Sequence, residues 1–159
     1  KSSAPIAFSD IDLNEAIHNA IRHVDLLLKS KKGSISTSFE ASDTIFKGNL
    51  NHITNLIINL LDNSIKYSDN PPKIRITTSN TSKHLVFTIE DSGIGMDLTT
   101  QKFVFEKFYR EQSGNIHNIK GHGLGLSYVK KIVDLHNGSI DLFSNVGKGT
   151  TFTISFPKK

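Results

Sequence analysis

Leu85-Val86-Phe87-Thr88-Ile89-Glu90-Asp91-Ser92-Gly93-Ile94-Gly95-Met96 is the stretch on which the reading of this chain turns. Leu85, Phe87 and Ile89 alternate with Val86 and Thr88, the period of a β-strand with one face toward a core. The same period places Asp91 on the apolar face. A carboxylate there is costly unless a donor pairs with it. A ligand amine would be such a donor; a plain strand-end turn is the alternative. Gly93 and Gly95 follow at once. Glycine marks a backbone that needs positive φ or must come close to something else.

Outward from this strand, the other elements fall into place. On the N-terminal side, Ile53, Leu56, Ile57, Leu60, Leu61 and Ile65 recur at helical spacing from about Leu50 to Tyr67. Asn51, Asn55, Asn59 and Asn63 form one ridge of that helix, four residues apart. Asparagine is a mediocre helix former, so the ridge asks for a reason, and ligand contact at its C-terminal end is one. Asp69-Asn70-Pro71-Pro72 stops the helix. Ile74 and Ile76 open a strand beyond it.

Further upstream, Asp12-Leu13-Asn14-Glu15 reads as a capping box ahead of Ile17, Ile21, Val24 and Leu28. Lys31-Lys32-Gly33 ends that helix, with Gly33 as the expected left-handed cap. Strands are expected near Ile35–Phe39 and Thr44–Lys47. Downstream, residues 97 to 120 hold a short aromatic helix and a polar loop. A third helix starts near Leu124 and ends at Asn137-Gly138. The strands Ser139–Ser144 and Thr150–Phe156 form a hairpin. The order αββαββ(loop)αββ is not a βα alternation. It predicts an α+β, two-layer sandwich with a mixed, mostly antiparallel sheet covered on one face by three helices.

Composition narrows the function classes. The 159 residues suit one domain, read here as spanning 1–159, and 36% hydrophobic with 21% charged residues makes it globular. Without cysteine there is neither a disulfide framework nor thiolate chemistry. The net charge of +4 comes from scattered lysines and forms no basic stripe, so no nucleic-acid partner is expected. No apolar run is long enough to span a bilayer, so no direct membrane contact is expected either.

Two more glycine clusters follow the first: Gly121-His122-Gly123-Leu124-Gly125-Leu126 and Gly147-Lys148-Gly149-Thr150. Neither is a dinucleotide fingerprint or a Walker motif. Three clusters joined to regular elements suggest a ligand held largely by backbone amides, and a polyphosphate fits that chemistry.

Together the four segments resemble the ATP-binding catalytic domain of bacterial two-component sensor histidine kinases. That domain shares its ancestry with type II topoisomerases, Hsp90 and MutL. The asparagine box, first glycine box, phenylalanine box and second glycine box stand in the family's order. The resemblance runs from about Ala7 to Pro157. It implies a Bergerat-type fold with ATP and Mg2+ as cofactors. Asp91 would then accept the adenine amine, with Gly93, Ile94, Gly95 and Met96 folded over the purine. Asn63 would ligate the metal and bind ATP, and Asn59, one turn before it, would be a catalytic and ATP-binding residue. Lys66 and Tyr67 would reach phosphates and ribose, and Thr150 would be a further ATP-binding residue. Lys120, Gly121, His122, Gly123, Leu124, Gly125 and Leu126 would meet phosphate at a helix start. Lys107 and Arg110, from the phenylalanine box around Phe103, Phe105, Phe108 and Tyr109, would offset charge on the transferring phosphoryl group. The polar stretch Glu111–Lys120 would act as a lid. The family usually carries alanine where Ser64 stands, a change expected to be harmless.

None of the seven histidines is followed by an acidic residue, so the family's phosphoacceptor motif is absent. The expectation is a fragment lacking the dimerisation and phosphoacceptor helices. It would donate the γ-phosphoryl of Mg-ATP to a histidine on that separate helical domain, with a response regulator downstream. The resemblance implies a cytoplasmic location, as part of a membrane-anchored sensor. A nucleotide-binding scaffold without catalysis and a hydrolase of the topoisomerase and MutL kind are the rivals. The second is disfavoured because Asn59 stands where that branch has its glutamate base, and an amide cannot act as one.

Overall fold

The computed structural model describes residues 6–105 and 125–159. In chain order these residues form β1 (Ser9–Asp12), α1 (Leu13–Ser30), β2 (Ser34–Phe39), β3 (Ile45–Gly48), α2 (Leu50–Lys66), β4 (Lys73–Asn80) and β5 (His84–Asp91). α3 (Leu98–Phe103), α4 (Gly125–Leu135), β6 (Ser139–Asn145) and β7 (Gly149–Pro157) follow. The main sheet has the order β2-β4-β5-β7-β6. β2 and β4 are parallel, and the other neighbours are antiparallel. The expected mixed, mostly antiparallel sheet is what forms.

One face of this sheet meets the helices. Ile74, Ile76, Leu85, Phe87, Ile89, Phe152, Ile154 and Phe156 are buried with the apolar stripes of α1, α2 and α4 in one cluster. α1 gives Leu13, Ala16, Ile17, Ala20, Val24 and Leu28, the spacing of one helical face. α2 is apolar enough to bury Ile53, Leu56, Ile57, Leu60, Leu61 and Ile65, which makes it the central helix. The opposite sheet face carries Lys73, Arg75, Glu90, Thr88 and Thr151, none of them buried. No described helix is long and apolar enough to cross a membrane.

The helix ends follow from side-chain chemistry. The Asp12 carboxylate accepts the Asn14 amide at 2.9 Å, capping α1. Asn49 caps α2 in the same way, accepting from the His52 amide at 3.0 Å. At the end of α1 the left-handed residue is Lys32, with φ 57°, and not Gly33. The Gly33 amide instead closes the turn on the Leu28 carbonyl at 2.9 Å. A side chain at Gly33 would meet Leu28 at 2.7 Å and the Pro72 carbonyl at 2.9 Å, so close approach explains this glycine. α4 ends alike, with Asn137 at φ 57° and the Gly138 amide on the Val133 carbonyl.

Two features were not expected from the sequence. β1 pairs antiparallel with β3 as a separate two-stranded sheet, Ile11 opposite Phe46. Four residues of Ser-Asp-Ile-Asp carry too short a pattern to announce a strand. Lys31, past the end of α1, donates to the Ile65 carbonyl at 2.8 Å and the Ser68 carbonyl at 3.4 Å. Its ammonium thus closes the C-terminal end of α2, where orphan carbonyls and the helix dipole favour a cation.

Candidate functional site

The C-terminal half of α2, the end of β5, the loop after it and the start of β7 converge. Along the asparagine ridge, burial rises toward this point. Asn51 and Asn55 are exposed, Asn59 is half-buried, and Asn63 is 8% exposed. The ridge is therefore not uniform. Asn59 donates its amide to the Asn55 carbonyl at 3.0 Å, within the helix. The Asn63 side chain, though buried, finds no hydrogen-bond partner among the described residues. Lys66 forms an ion pair with Asp62 at 3.0 Å, one turn back.

Asp91 is the centre of the cluster. It closes β5 on the inner face of the sheet, as the alternation predicts, and it is half-buried. Its carboxylate already has three protein donors. Oδ1 accepts the Gly93 amide at 2.8 Å and the Thr150 amide at 3.3 Å. Oδ2 accepts the Ser64 hydroxyl at 2.9 Å. The expectation of a carboxylate waiting for a ligand to pair it is thus corrected: the protein itself pairs Asp91. Four lone-pair sites minus three donors leave one for a ligand. Burial raises the Asp91 carboxyl above its ordinary range, against the pull of the Gly93 amide, the Ser64 hydroxyl and the Thr150 amide.

The loop after Asp91 is latched on both sides. The Ile94 amide donates to the Tyr67 carbonyl at 3.0 Å, joining the loop to the end of α2. The Gly147 amide donates to the Ile94 carbonyl at 2.7 Å, joining it to the β6–β7 turn. The Met96 amide donates to Ser144 Oγ at 2.8 Å, and Gln101 reaches the Met96 and Ser144 carbonyls. Thr150 is 7% exposed, and its hydroxyl is bonded to Ser144 Oγ at 2.8 Å. Thr150 therefore stands behind Asp91, with its amide on the carboxylate and its side chain turned to the hairpin.

Gly95 and Gly149 are explained by this crossing of two loops. A Cβ on Gly95 would lie 2.0 Å from the Asn145 carbonyl, and its φ is +75°. A Cβ on Gly149 would lie 2.0 Å from the Asp91 carbonyl, at φ +110°. The third glycine cluster thus clamps the loop after Asp91, where the sequence suggested a polyphosphate cradle. Ile94 and Met96 are partly exposed beside it, as pocket-lining residues would be.

The structure brings together Asn63, Tyr67, Asp91, Gly93, Ile94, Gly95, Met96 and Thr150. Leu126 is buried on the first turn of α4, and Gly125 opens that helix. Lys107, Arg110, Lys120, Gly121, His122, Gly123 and Leu124 lie outside the described residues, as does the expected lid Glu111–Lys120. Ser64, expected from the sequence to be a harmless change from alanine, instead bonds the Asp91 carboxylate. Its signal was present: a serine beside Asn63 on the buried side of α2, where alanine would have sufficed for packing.

No group of three or more histidine, cysteine or acidic ligands occurs among the described residues. Asn63 offers a hard oxygen donor at the C-terminal end of α2. That fits magnesium, which keeps waters and substrate phosphates among its ligands and takes few from the protein.

A family profile described as histidine kinase-, DNA gyrase B-, and HSP90-like ATPase matches residues 48–159. Sensor protein RprX of Bacteroides fragilis (strain YCH46) is 38% identical over 159 residues, covering 99% of this chain. The chain spans only 31% of RprX's length. Among solved structures, the catalytic domain of histidine kinase ThkA superposes with TM-score 0.82 at 24% identity, covering 96% of this chain and 98% of that one. ThkA in complex with response regulator protein TrrA gives 0.77 at 23% identity, covering 96% of this chain and 42% of that one. At such identities the superpositions speak for the fold.

Proposed function

This chain belongs to the histidine kinase-, DNA gyrase B- and HSP90-like ATPase family, and from that premise we propose that it binds Mg-ATP against α2 and the end of β5. It then donates the γ-phosphoryl group to a histidine on a separate dimerisation domain. The observation that carries the reading is Asp91: a buried-face carboxylate held by three protein donors, with one acceptor position left over. An adenine exocyclic amine supplies the matching donor. Ile94 and Met96 flank the base, and the fixed loop between Tyr67 and Gly147 keeps them in place.

Asn63 would hold the magnesium ion, whose chemistry is to neutralise charge on the phosphate oxygens. Tyr67 and Lys66 lie at the same end of α2, toward ribose and phosphates. Lys107, Arg110 and the glycine-rich start of α4 take the remaining phosphate contacts in this reading, carried by the family resemblance. Transfer forms a bond from the acceptor histidine nitrogen to the γ-phosphorus. It breaks the bond from that phosphorus to the bridging oxygen, and ADP leaves. Catalysis of such a step is mostly positioning and charge neutralisation, which a rigid two-layer scaffold supplies. Asn59 cannot activate water as a base, so transfer is favoured over hydrolysis.

The parent protein, in this reading, is a two-component sensor with a response regulator downstream, and this domain is its cytoplasmic part. Incubation with labelled Mg-ATP tests the proposal. The chain alone should stay unlabelled. A helical domain with a histidine followed by Glu or Asp should gain acid-labile phosphate when the chain is added. Acid-labile phosphate on the chain itself, or no nucleotide binding at all, would overturn it.

A further inference from the structure

Asp91 offers its two oxygens unequally. Oδ1 is filled by the Gly93 and Thr150 amides, at 2.8 and 3.3 Å. Oδ2 takes only the Ser64 hydroxyl, at 2.9 Å, so the position left for a ligand is on Oδ2. Ser64 is 3% exposed and lies on α2 next to Asn63, so it stands behind the carboxylate and does not face the ligand. A serine inside a helix ordinarily bonds back to a carbonyl one turn earlier. Here its proton leaves the helix and crosses 27 residues of chain to Asp91.

We propose that Ser64 is a positioning residue that sets the base selectivity of this site, by fixing Asp91 Oδ2 in the orientation a purine amine needs. This rests on the reading of Asp91 as the acceptor of that amine. Rotation about the Cβ–Cγ bond is broad and soft and moves both oxygens together, so the carboxylate plane owes its orientation to all three donors, of which the Ser64 hydroxyl alone acts on Oδ2. Remove the hydroxyl, and only the Gly93 amide at 2.8 Å and the longer Thr150 contact at 3.3 Å hold the carboxylate plane, so Oδ2 is directed less tightly. A purine with a 6-amino group loses a preorganised acceptor. A purine with a 6-carbonyl loses nothing, because it has no donor there to give. Ser64 therefore acts on the difference between the two bases, beyond any part it has in packing α2 on β5.

Affinities for ATP and inosine triphosphate, measured by calorimetry with magnesium present, test this. Wild type is expected to favour ATP at least about tenfold, the lower end for a charge-assisted hydrogen bond. Ser64→Ala should lose about three- to tenfold in ATP affinity while inosine triphosphate is unchanged, so the ratio narrows. Ser64→Thr keeps the hydroxyl and should keep the ratio. Ser64→Cys, a weak donor of nearly the same volume, should narrow it as alanine does, and covers the case of an alanine variant that folds poorly. If both nucleotides weaken in parallel, or the ratio holds in the alanine and cysteine variants, Ser64 is only structural and the inference falls. If wild type does not prefer ATP, or Asp91→Asn keeps the preference, the reading of Asp91 itself is wrong and this inference goes with it.

Discussion

Asp91 is a residue that the fold holds at some cost. Its carboxyl is raised above the ordinary 3.8, chiefly by burial, so the folded chain takes up a proton more readily than the unfolded one. Stability then falls as pH rises from 3.8 through the folded value, and at neutral pH the charged group is a net burden. Asparagine would keep an oxygen for the Gly93 and Thr150 amides and present its own amide to Ser64 Oγ. Asp91→Asn is therefore expected to melt at or slightly above the wild-type temperature at pH 7, while ATP affinity drops roughly ten- to a hundredfold. Melting curves and calorimetry on one preparation decide it. A large loss of stability with unchanged binding would make Asp91 a structural residue.

At the scale of elements, α2 and the two crossing loops do the arranging. The asparagine ridge of α2 is one surface by spacing, but only its C-terminal member is buried. Asn63→Ala should therefore abolish the magnesium dependence of ATP binding, whereas Asn51→Ala leaves it intact. ATP titrations with and without magnesium in both variants check this, and a larger effect at Asn51 would move the site along the helix. The β6–β7 turn and the loop after β5 meet so tightly that Gly149 admits no side chain. Gly149→Ala places a methyl 2.0 Å from the Asp91 carbonyl in a backbone region that strains alanine. A destabilisation of about 2–4 kcal/mol is expected, read from denaturant midpoints. Nucleotide affinity should fall with it, because the Thr150 amide and Asp91 move together.

At the scale of the whole molecule, His136 joins parts that lie far apart in the chain. Its Nε2 accepts the Asn49 amide at 3.1 Å, at the N-cap of α2, while Nδ1 donates to the Ile132 carbonyl at 2.8 Å. Phe8 stacks on the ring at 4.6 Å, and Phe46 and Phe156 pack around it. Burial, with His52 nearby, lowers its value below 6.5, so the folded ring stays neutral where the unfolded one is charged. The sign follows: stability is full above 6.5 and is lost as pH falls from there toward the lowered folded value. Urea midpoints taken from pH 8 to pH 5 should decline across that window. His136→Gln, which cannot titrate, should flatten the decline and lower stability throughout by removing the packed ring. An equal slope in the variant would assign the decline to other groups.

The sequence alone determined what short-range pattern encodes. Apolar spacing assigned α1, α2, α4 and the strands of the main sheet. Alternation along β5 placed Asp91 on the inner face, because side-chain direction in a strand depends on parity alone. The order of the four motifs carried the family. What only the tertiary structure decided are the meetings between distant segments. Ser64 and Asp91 are 27 residues apart, and Thr150 and Asp91 are 59 apart. No local pattern states that these atoms share a carboxylate. The pairing of β1 with β3 was hidden likewise, because four residues hold too little period to be read. Gly33 misled for a related reason. A glycine after a helix announces a left-handed cap, yet whether it serves conformation or close approach depends on Pro72 lying against it, and only the packed chain brings Pro72 there.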